Sequence, residues 1–187
     1  MKKIVLITIA SLMALTAGAQ KIGRVDFNEL VMLMPEMDNA RELIAAAQRE
    51  AEETYSAMVE EYQGKAAQYQ QKSASWTAAI KESKERELYE IQNRIQEFQQ
   101  SITQELQQQQ NQLMAPIREK ANNSVKELAK AKGLDVLLDS SQALYFSDDV
   151  LDLTSEARAA LGIPADRTLE ALQAELAAQA QASAAQK

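Results

Sequence analysis

Three aspartates near the carboxyl end, Asp148, Asp149 and Asp152, form the only acidic cluster whose spacing resembles a metal-binding loop. A calcium loop also needs a central glycine and a distal glutamate, and neither is present, so turn and capping roles account for these side chains. The 187-residue chain contains no histidine and no cysteine, which excludes imidazole and thiolate catalysis and the usual zinc ligand sets. It also lacks a glycine-rich phosphate loop and a Ser-x-x-Lys pair. We therefore expect no catalytic residues, no metal and no cofactor.

Four lysines, Lys65, Lys72, Lys81 and Lys84, stand against a single acid, Glu82, between residues 64 and 84. This stretch is positive, whereas the whole chain carries 20 Lys+Arg and 27 Asp+Glu, a net charge of −7. A positive patch in an acidic chain can attract acidic polypeptides or anionic lipid headgroups. The alternative is a solvated helix end that needs no partner. The acidic balance argues against nucleic-acid binding.

Long helices must carry these lysines, because one glycine, Gly64, and no proline interrupt the helical pattern between Pro35 and Ala115. Apolar residues recur about every 3.6 residues in both halves of this stretch, which is typical of an amphipathic helix. A single helix of this length would leave its apolar stripe uncovered. We therefore predict an antiparallel helical hairpin over 35–116 with its tip near 73–78. Gly64 is either a flex point or a tolerated substitution in an exposed helix.

The stripe along the first arm, Tyr55, Tyr62, Tyr69 and Trp76, has heptad spacing. It could present aromatic surface to an unfolded polypeptide, but this periodicity favours coiled-coil packing between the arms. The predicted hairpin core consists of Tyr55, Tyr62, Tyr69, Leu88, Ile91, Ile95, Phe98 and Ile102. The weaker candidates for polypeptide contact along the arms are Met37, Met58 and Trp76, because methionine adapts to irregular partners.

Glutamine dominates the returning arm, where ten of the 21 residues between Gln92 and Gln112 are Gln. Polar tracts of this kind can be prone to aggregation. Here apolar side chains keep helical spacing through the tract, at Ile95, Phe98 and Ile102. We interpret the glutamines as a neutral, solvated helix face.

Three short strands are predicted on either side of the hairpin, at 22–27, 134–139 and 143–146. Gly133 should end the long helix, and the last two strands should form a β-hairpin around Ser140–Gln142. Three strands are too few to satisfy their own edges, so we expect several chains to pool them into one sheet. The predicted oligomer core consists of Ile22, Val25, Phe27, Leu134, Val136, Leu138, Leu144 and Phe146. The predicted body segments are 20–34 and 117–164, followed by an Ala/Gln-rich tail, 165–187, that is partly helical or disordered.

The first 19 residues have the features of a secretory signal peptide, with Lys2 and Lys3 before an apolar run and Ala17-Gly18-Ala19 at its end. The apolar run, Ile4 to Leu15, is shorter than the roughly 20 residues that span a bilayer. We predict cleavage after Ala19, which leaves 18 Lys+Arg against 27 Asp+Glu. An exported protein without cysteine fits the bacterial periplasm.

Several of these motifs, taken in order, resemble the Skp/OmpH-like family of periplasmic chaperones. The matching residues are Ile22-Gly23-Arg24-Val25-Asp26-Phe27, Pro35-Glu36, Pro116-Ile117, Ala131 to Leu134 and Asp152-Leu153-Thr154. The resemblance covers about residues 21 to 163. Arg24 departs from the family pattern, in which this position is commonly aromatic.

The resemblance implies a mostly α protein with a small β body that closes by trimerisation, from which helical hairpins project as tentacles. It further implies an ATP-independent holdase that binds unfolded outer-membrane proteins in the cavity between the tentacles. The lysine patch would then lie at the tentacle tips, where it would meet clients or the anionic membrane surface. The alternative function is a structural coiled-coil spacer or adaptor of the cell envelope that holds no clients.

Overall fold

In a computed structural model, residues 20–184 are described, and the chain forms two compact units. We call residues 20–35 and 118–184 the body, and Glu36–Ile117 the arm. The signal peptide predicted over 1–19 lies outside the described residues, as do the last three residues of the tail.

The secondary structure is mostly helical. The elements in chain order are β1 (Ile22–Val25), α1 (Phe27–Leu33), α2 (Pro35–Lys72), a 3-10 turn (Ser73–Ser75), α3 (Ala78–Ala131), β2 (Val136–Asp139), a second 3-10 turn (Ser140–Gln142), β3 (Leu151–Asp152), α4 (Thr154–Ala160) and α5 (Leu169–Ala184). Helix α2 begins at Pro35, where a proline costs no helical hydrogen bond. Helix α3 continues through Pro116 to Ala131.

The body contains one small sheet in the order β2-β1-β3, and β1 pairs in parallel with both neighbours. Its register places Ile22 beside Val136 and Arg24 beside Leu138. Gly23 allows the chain to approach closely at the centre of β1, because a Cβ there would collide with the Leu134 side chain.

The prediction of a strand at 143–146, and of a β-hairpin joining it to 134–139, is wrong. Asp139 accepts a hydrogen bond from the Ser141 amide at 3.0 Å, which starts a 3-10 turn and leads the chain away from β2. The place beside β1 is taken instead by β3, and the Leu153 amide donates to the Arg24 carbonyl at 2.9 Å. The sheet is therefore parallel, with its third strand at Leu151–Asp152.

The other two predicted strands are shorter than expected. The first ends at Val25 rather than Phe27, because the Asp26 carboxylate accepts from the Glu29 amide at 2.8 Å and starts α1. The second begins at Val136 rather than Leu134, because Leu134 takes part in the turn that caps α3. The Leu134 amide donates to the Ala129 carbonyl at 3.0 Å, after Gly133 with a φ of 63°.

Helices α1 and α4 and the end of α3 supply half of the buried apolar side chains of the described body. Its fully buried side chains include Leu30, Leu33, Met34 and Leu153. The tail is helical from Leu169 to Ala184, and Leu172 anchors it with 5% of its surface exposed. Arg158 on α4 bonds to Glu29 of α1 and to the carbonyls of Pro164 and Arg167. This arginine fastens the segment that leads into α5 to the rest of the body.

Candidate interaction surfaces

The predicted lysine patch lies around the helix interruption at 73–77, and two of its four members are paired with acid. Lys65 on α2 and Lys84 on α3 both contact Glu87, with the Lys84 Nζ 2.8 Å from a carboxylate oxygen. These hydrogen bonds lower the pKa of Glu87 to about 2. The bond to Glu87 likewise raises the pKa of Lys65. Lys65 therefore links α2 to α3, whereas Lys84 pairs with Glu87 within α3.

Lys72 and Lys81 are the other half of the patch, and within the described residues neither has an acidic partner. Lys72 is exposed at the end of α2, where a cation is favoured by the helix dipole. Lys81 lies in the first turn of α3, where the dipole disfavours a cation. Helix stability therefore gives no reason for a lysine at position 81.

Three polar contacts link α2 to α3 within the arm. They are Arg94 with Glu61 at 3.2 Å, Lys65 with Glu87, and the Tyr69 hydroxyl with Glu85. As residue numbers rise along α2, those of the partners fall along α3, so the contacts run in antiparallel order. The hydrogen bond to Glu85 raises the pKa of Tyr69.

The eight residues predicted to pack between the two helices of the hairpin are unevenly buried. Ile91 is 2% exposed, whereas Tyr55 is 38% exposed. The other six are half-buried: Tyr62, Tyr69, Leu88, Ile95, Phe98 and Ile102. Outside this set, the described arm buries only Ala40 and Ile117. The arm therefore has a thin apolar core.

The side chains predicted to contact a polypeptide along the arm, Met37, Met58 and Trp76, are all half-buried. Trp76 packs edge-on against Tyr69, with 5.7 Å between ring centroids. Other apolar side chains of the arm are more exposed: Leu43 at 47%, Ile80 at 44% and Tyr89 at 64%. Heptad position alone does not show which side chains a partner helix leaves uncovered, so these three could not be singled out from the sequence.

One face of the body's sheet is apolar and open to solvent. Ile22, Val136 and Leu138 share this face and are 38–40% exposed. Arg24 lies among them, 3.0 Å from the Asp152 carboxylate and 5.5 Å from the centre of the Phe146 ring. Strand β2 is also at the edge of the described sheet, with one side unpaired.

The remaining residues predicted for the oligomer core have different positions. Val25 points to the opposite side of β1 and is 3% exposed, so it belongs to the interior of the chain. Phe27 is half-buried, with the Arg118 guanidinium 5.7 Å from its ring centre. Leu134 and Phe146 are half-buried. Leu144 is completely exposed in the loop that replaces the predicted strand.

A shallow groove of about 780 Å³, largely open to solvent, lies along one face of α3 in the arm, and polar amide side chains dominate its lining. The lining consists of five glutamines, Asn111, Thr103 and Ala115. The abundance of glutamine in the sequence indicates only a solvated face. The sequence feature that could have revealed the groove is the spacing of Gln100, Gln104 and Gln108, which recur every four residues on one side of the helix.

The acidic cluster has turn and capping roles. The Asp152 carboxylate accepts from the Thr154 amide at 2.9 Å at the start of α4. Burial opposes its ionisation, but the bonds from Thr154 and the charge of Arg24 outweigh burial and lower its pKa. A hydrogen bond with Ser147 lowers the pKa of Asp149. Across residues 20–184, no three acidic side chains come together in a way that could hold a metal ion.

A comparison with protein-family models matches residues 21–161 to the family described as Outer membrane protein (OmpH-like). This match covers most of the chain. The chain belongs to the OmpH-like family. Members of this family are periplasmic chaperones rather than enzymes, and they bind outer-membrane proteins. No individual curated protein matches the chain.

The OmpH-like match begins at Lys21, immediately before β1, and ends at Leu161, just after α4, so helix α5 lies beyond it. Several motif residues of the family have clear structural roles here. Gly23 fits a close contact in β1, Gly133 ends α3, and the Thr154 hydroxyl accepts from the Asp26 amide at 3.0 Å. None of the helices between residues 20 and 184 is both long and apolar enough to cross a membrane.

Proposed function

We propose that this OmpH-like protein is an ATP-independent holdase of the periplasm, which binds unfolded outer-membrane proteins and prevents their aggregation. The observation that carries this proposal is the composition of the arm. Residues 36–117 fold with only three buried apolar side chains, so most of their surface remains available to a partner. A polypeptide held against such a surface would need no nucleotide.

In this proposal the arm is a helical hairpin, a tentacle, and the active species is a homotrimer. The antiparallel order of the contacts between α2 and α3 supports the hairpin. The exposed apolar face around Val136 and Leu138, together with the unpaired edge of β2, supports assembly through the sheet. Three tentacles would then enclose a cavity for the client.

Light scattering tests the holding activity directly. An outer-membrane β-barrel protein is diluted from urea into buffer with and without the OmpH-like protein. A holdase keeps the solution clear without nucleotide. A structural spacer or adaptor, the competing function, leaves the aggregation unchanged, and that result would overturn the proposal.

Native mass spectrometry tests the assembly. The double variant Val136→Glu with Leu138→Glu places charges on the exposed sheet face and should yield monomers, because unpaired charges disfavour an apolar interface. The matched control is Ala174→Glu with Ala178→Glu, two exposed positions on the side of α5 away from the buried Leu172, which adds the same charge and should remain trimeric. A trimer in both variants would exclude the sheet face as the interface.

We further propose that Lys72 and Lys81 make the first contact with acidic client segments or with anionic lipid, while Lys65 and Lys84 are occupied by Glu87. Exposed charges act chiefly on association rates and are screened beyond about 8 Å at physiological salt. Changing Lys72 and Lys81 to Glu should therefore slow association at low salt.

The matched control is Arg49→Glu with Lys126→Glu, which makes the same change in net charge at exposed positions elsewhere. Stopped-flow association is measured with an unfolded β-barrel protein and, separately, with vesicles of anionic or neutral lipid. Equal rates for the two double variants at low salt would show that only net charge matters.

A further inference from the structure

The amide groove of α3 consists of two neighbouring rows of side chains. In one row Gln100, Gln104, Gln108 and Gln112 recur every four residues. In the other, Gln107 and Asn111 have the same spacing. The Gln107 side-chain amide donates to the Asn111 oxygen at 3.3 Å, so this row is itself hydrogen-bonded. All six side chains are exposed.

The spacing of the longer row matches that of an extended polypeptide. Four residues of an α-helix rise about 6 Å, so successive amides of the row lie about 6 Å apart. Backbone groups on one side of an extended chain recur every two residues, roughly 6.6–6.8 Å apart. Each glutamine side chain offers N–H donors and a carbonyl acceptor. Each main-chain residue other than proline offers one N–H donor and one carbonyl acceptor, so the two can pair.

The near absence of charge along the groove also favours one class of partner over others. From Phe98 to Ile117 the only charged residue is Glu105, and no aromatic or basic side chain lines the groove. Nucleic acids require cations for their phosphates and favour aromatic stacking platforms. A membrane surface requires cations or an apolar anchor. A neutral main chain requires neither.

We propose that this amide groove binds the extended main chain of an unfolded polypeptide through side-chain amide hydrogen bonds. This inference rests on the proposed holdase function and specifies what the arm recognises. Because every polypeptide has the same main chain, the groove would hold clients regardless of their sequence. It would do so without the charge attraction that the lysine patch supplies.

The test uses the full-length protein and a fluorescently labelled, unfolded outer-membrane β-barrel protein as the probe. The groove variant changes Gln100, Gln104, Gln107 and Gln108 to Ala. The control variant changes Gln63, Gln68, Gln70 and Gln71 to Ala, which are exposed on α2 and do not line the groove. Both sets replace glutamine with the best helix former, so both helices should persist.

We expect the groove variant to bind the probe about tenfold more weakly, since several modest hydrogen bonds are lost together, and the control variant to bind within about twofold of wild type. Equal affinities for the two variants would overturn the groove inference and leave the holdase function intact. If the wild type itself fails to bind the probe, the holdase function and the groove inference both fail.

Photocrosslinking provides a second readout. Benzoylphenylalanine at position 104 should crosslink to the bound client, whereas the same residue at position 109, which is exposed but in neither row, should not. Equal crosslinking at both positions would contradict the inference. Crosslinks at position 104 only to other copies of the chain, together with an altered native mass for the groove variant, would identify the groove as a contact between copies and would also overturn it.

Discussion

The body and the arm of this molecule are stabilised in different ways. Twelve of the fifteen buried apolar side chains in the described chain belong to the body and three to the arm. In the body, helices pack against a small sheet and non-local contacts determine the structure. In the arm, local helix propensity and polar contacts between α2 and α3 supplement a thin apolar core.

This difference matches the two tasks that we propose for the molecule. A body that must assemble with copies of itself needs a fixed shape, and close packing provides one. An arm that must hold many clients gains from surface that is not already used for packing. Substitutions matched between the two units test the contrast.

The largest effect is expected from a core deletion. Leu30 in α1 is completely buried, so Leu30→Ala should lower the free energy of unfolding by about 2–5 kcal/mol. The matched change in the arm, Leu43→Ala, removes the same atoms from a side chain that is 47% exposed, and should cost within about 0.5 kcal/mol. Urea unfolding at one protein concentration measures both. Similar losses would show that the arm is as tightly packed as the body.

The second prediction uses the same substitution at two glycines and expects opposite signs. Gly23→Ala places a Cβ against Leu134 and 3.3 Å from the Leu151 carbonyl, so it should destabilise the body by about 1–3 kcal/mol. Gly64→Ala meets nothing within 4 Å and should stabilise the arm by roughly 1 kcal/mol. Thermal unfolding decides between the signs. A stabilising effect at both positions would mean that Gly23 is not held close to Leu134.

The third prediction compares two arginines. Arg158 in the body is 15% exposed and bonds to Glu29 and to two backbone carbonyls, so Arg158→Met should cost about 1–3 kcal/mol. Arg94 in the arm pairs with Glu61 at an exposed site, and Arg94→Met should cost about 0–1 kcal/mol. Limited proteolysis supplies a local measurement. Arg158→Met should speed cleavage between α4 and α5, and unchanged cleavage would argue against its fastening role.

The smallest effect concerns pH and the contact around Glu87. Its folded-state pKa of about 2 is below the ordinary value of 4.5, so its ion pairs stabilise the arm above pH 4.5 and this contribution is lost as pH falls towards 2. Glu87→Gln should remove this part of the acid response. Thermal unfolding of wild type and variant between pH 5 and pH 2 gives the comparison. Parallel curves would show that Glu87 contributes nothing.

The sequence predicted the local features of this fold well and the non-local features poorly. Scarce glycine and proline and a regular apolar spacing predicted the long helices, and Pro35 and Gly133 marked two of their ends. Each of these signals lies within a few residues of the structure that it predicts. The parallel sheet is different, because Ile22 pairs with Val136 more than 110 residues away. No local pattern encodes that choice.

The third strand shows why a local pattern can mislead. Ala143–Phe146 has the apolar content of a strand, yet its residues form a loop in which Leu144 is exposed. The real strand, β3, has only two residues, too few to show a pattern, and it forms because the side of β1 beside it is free. Strand formation here depends on the neighbour more than on propensity.

The candidate surfaces also show that local features can be predicted from the sequence and non-local contacts cannot. The lysine cluster was visible in the sequence, but the partner of Lys65 was not, because Glu87 lies 22 residues away across the contact between α2 and α3. The amide groove could have been found from sequence, since its four-residue repeat is a local signal. Such a repeat is easily missed, because polar side chains on a helix usually face water without a partner.

The central position of β1 also determines the order in which the chain can fold. Both of its partners, β2 and β3, follow it by more than 110 residues, with the whole arm in between. The helices of the arm need only nearby residues, so they can form before β1 meets a neighbour. The sheet that is proposed to join the subunits is therefore completed after the arm, so that assembly requires a chain that has folded as far as β3.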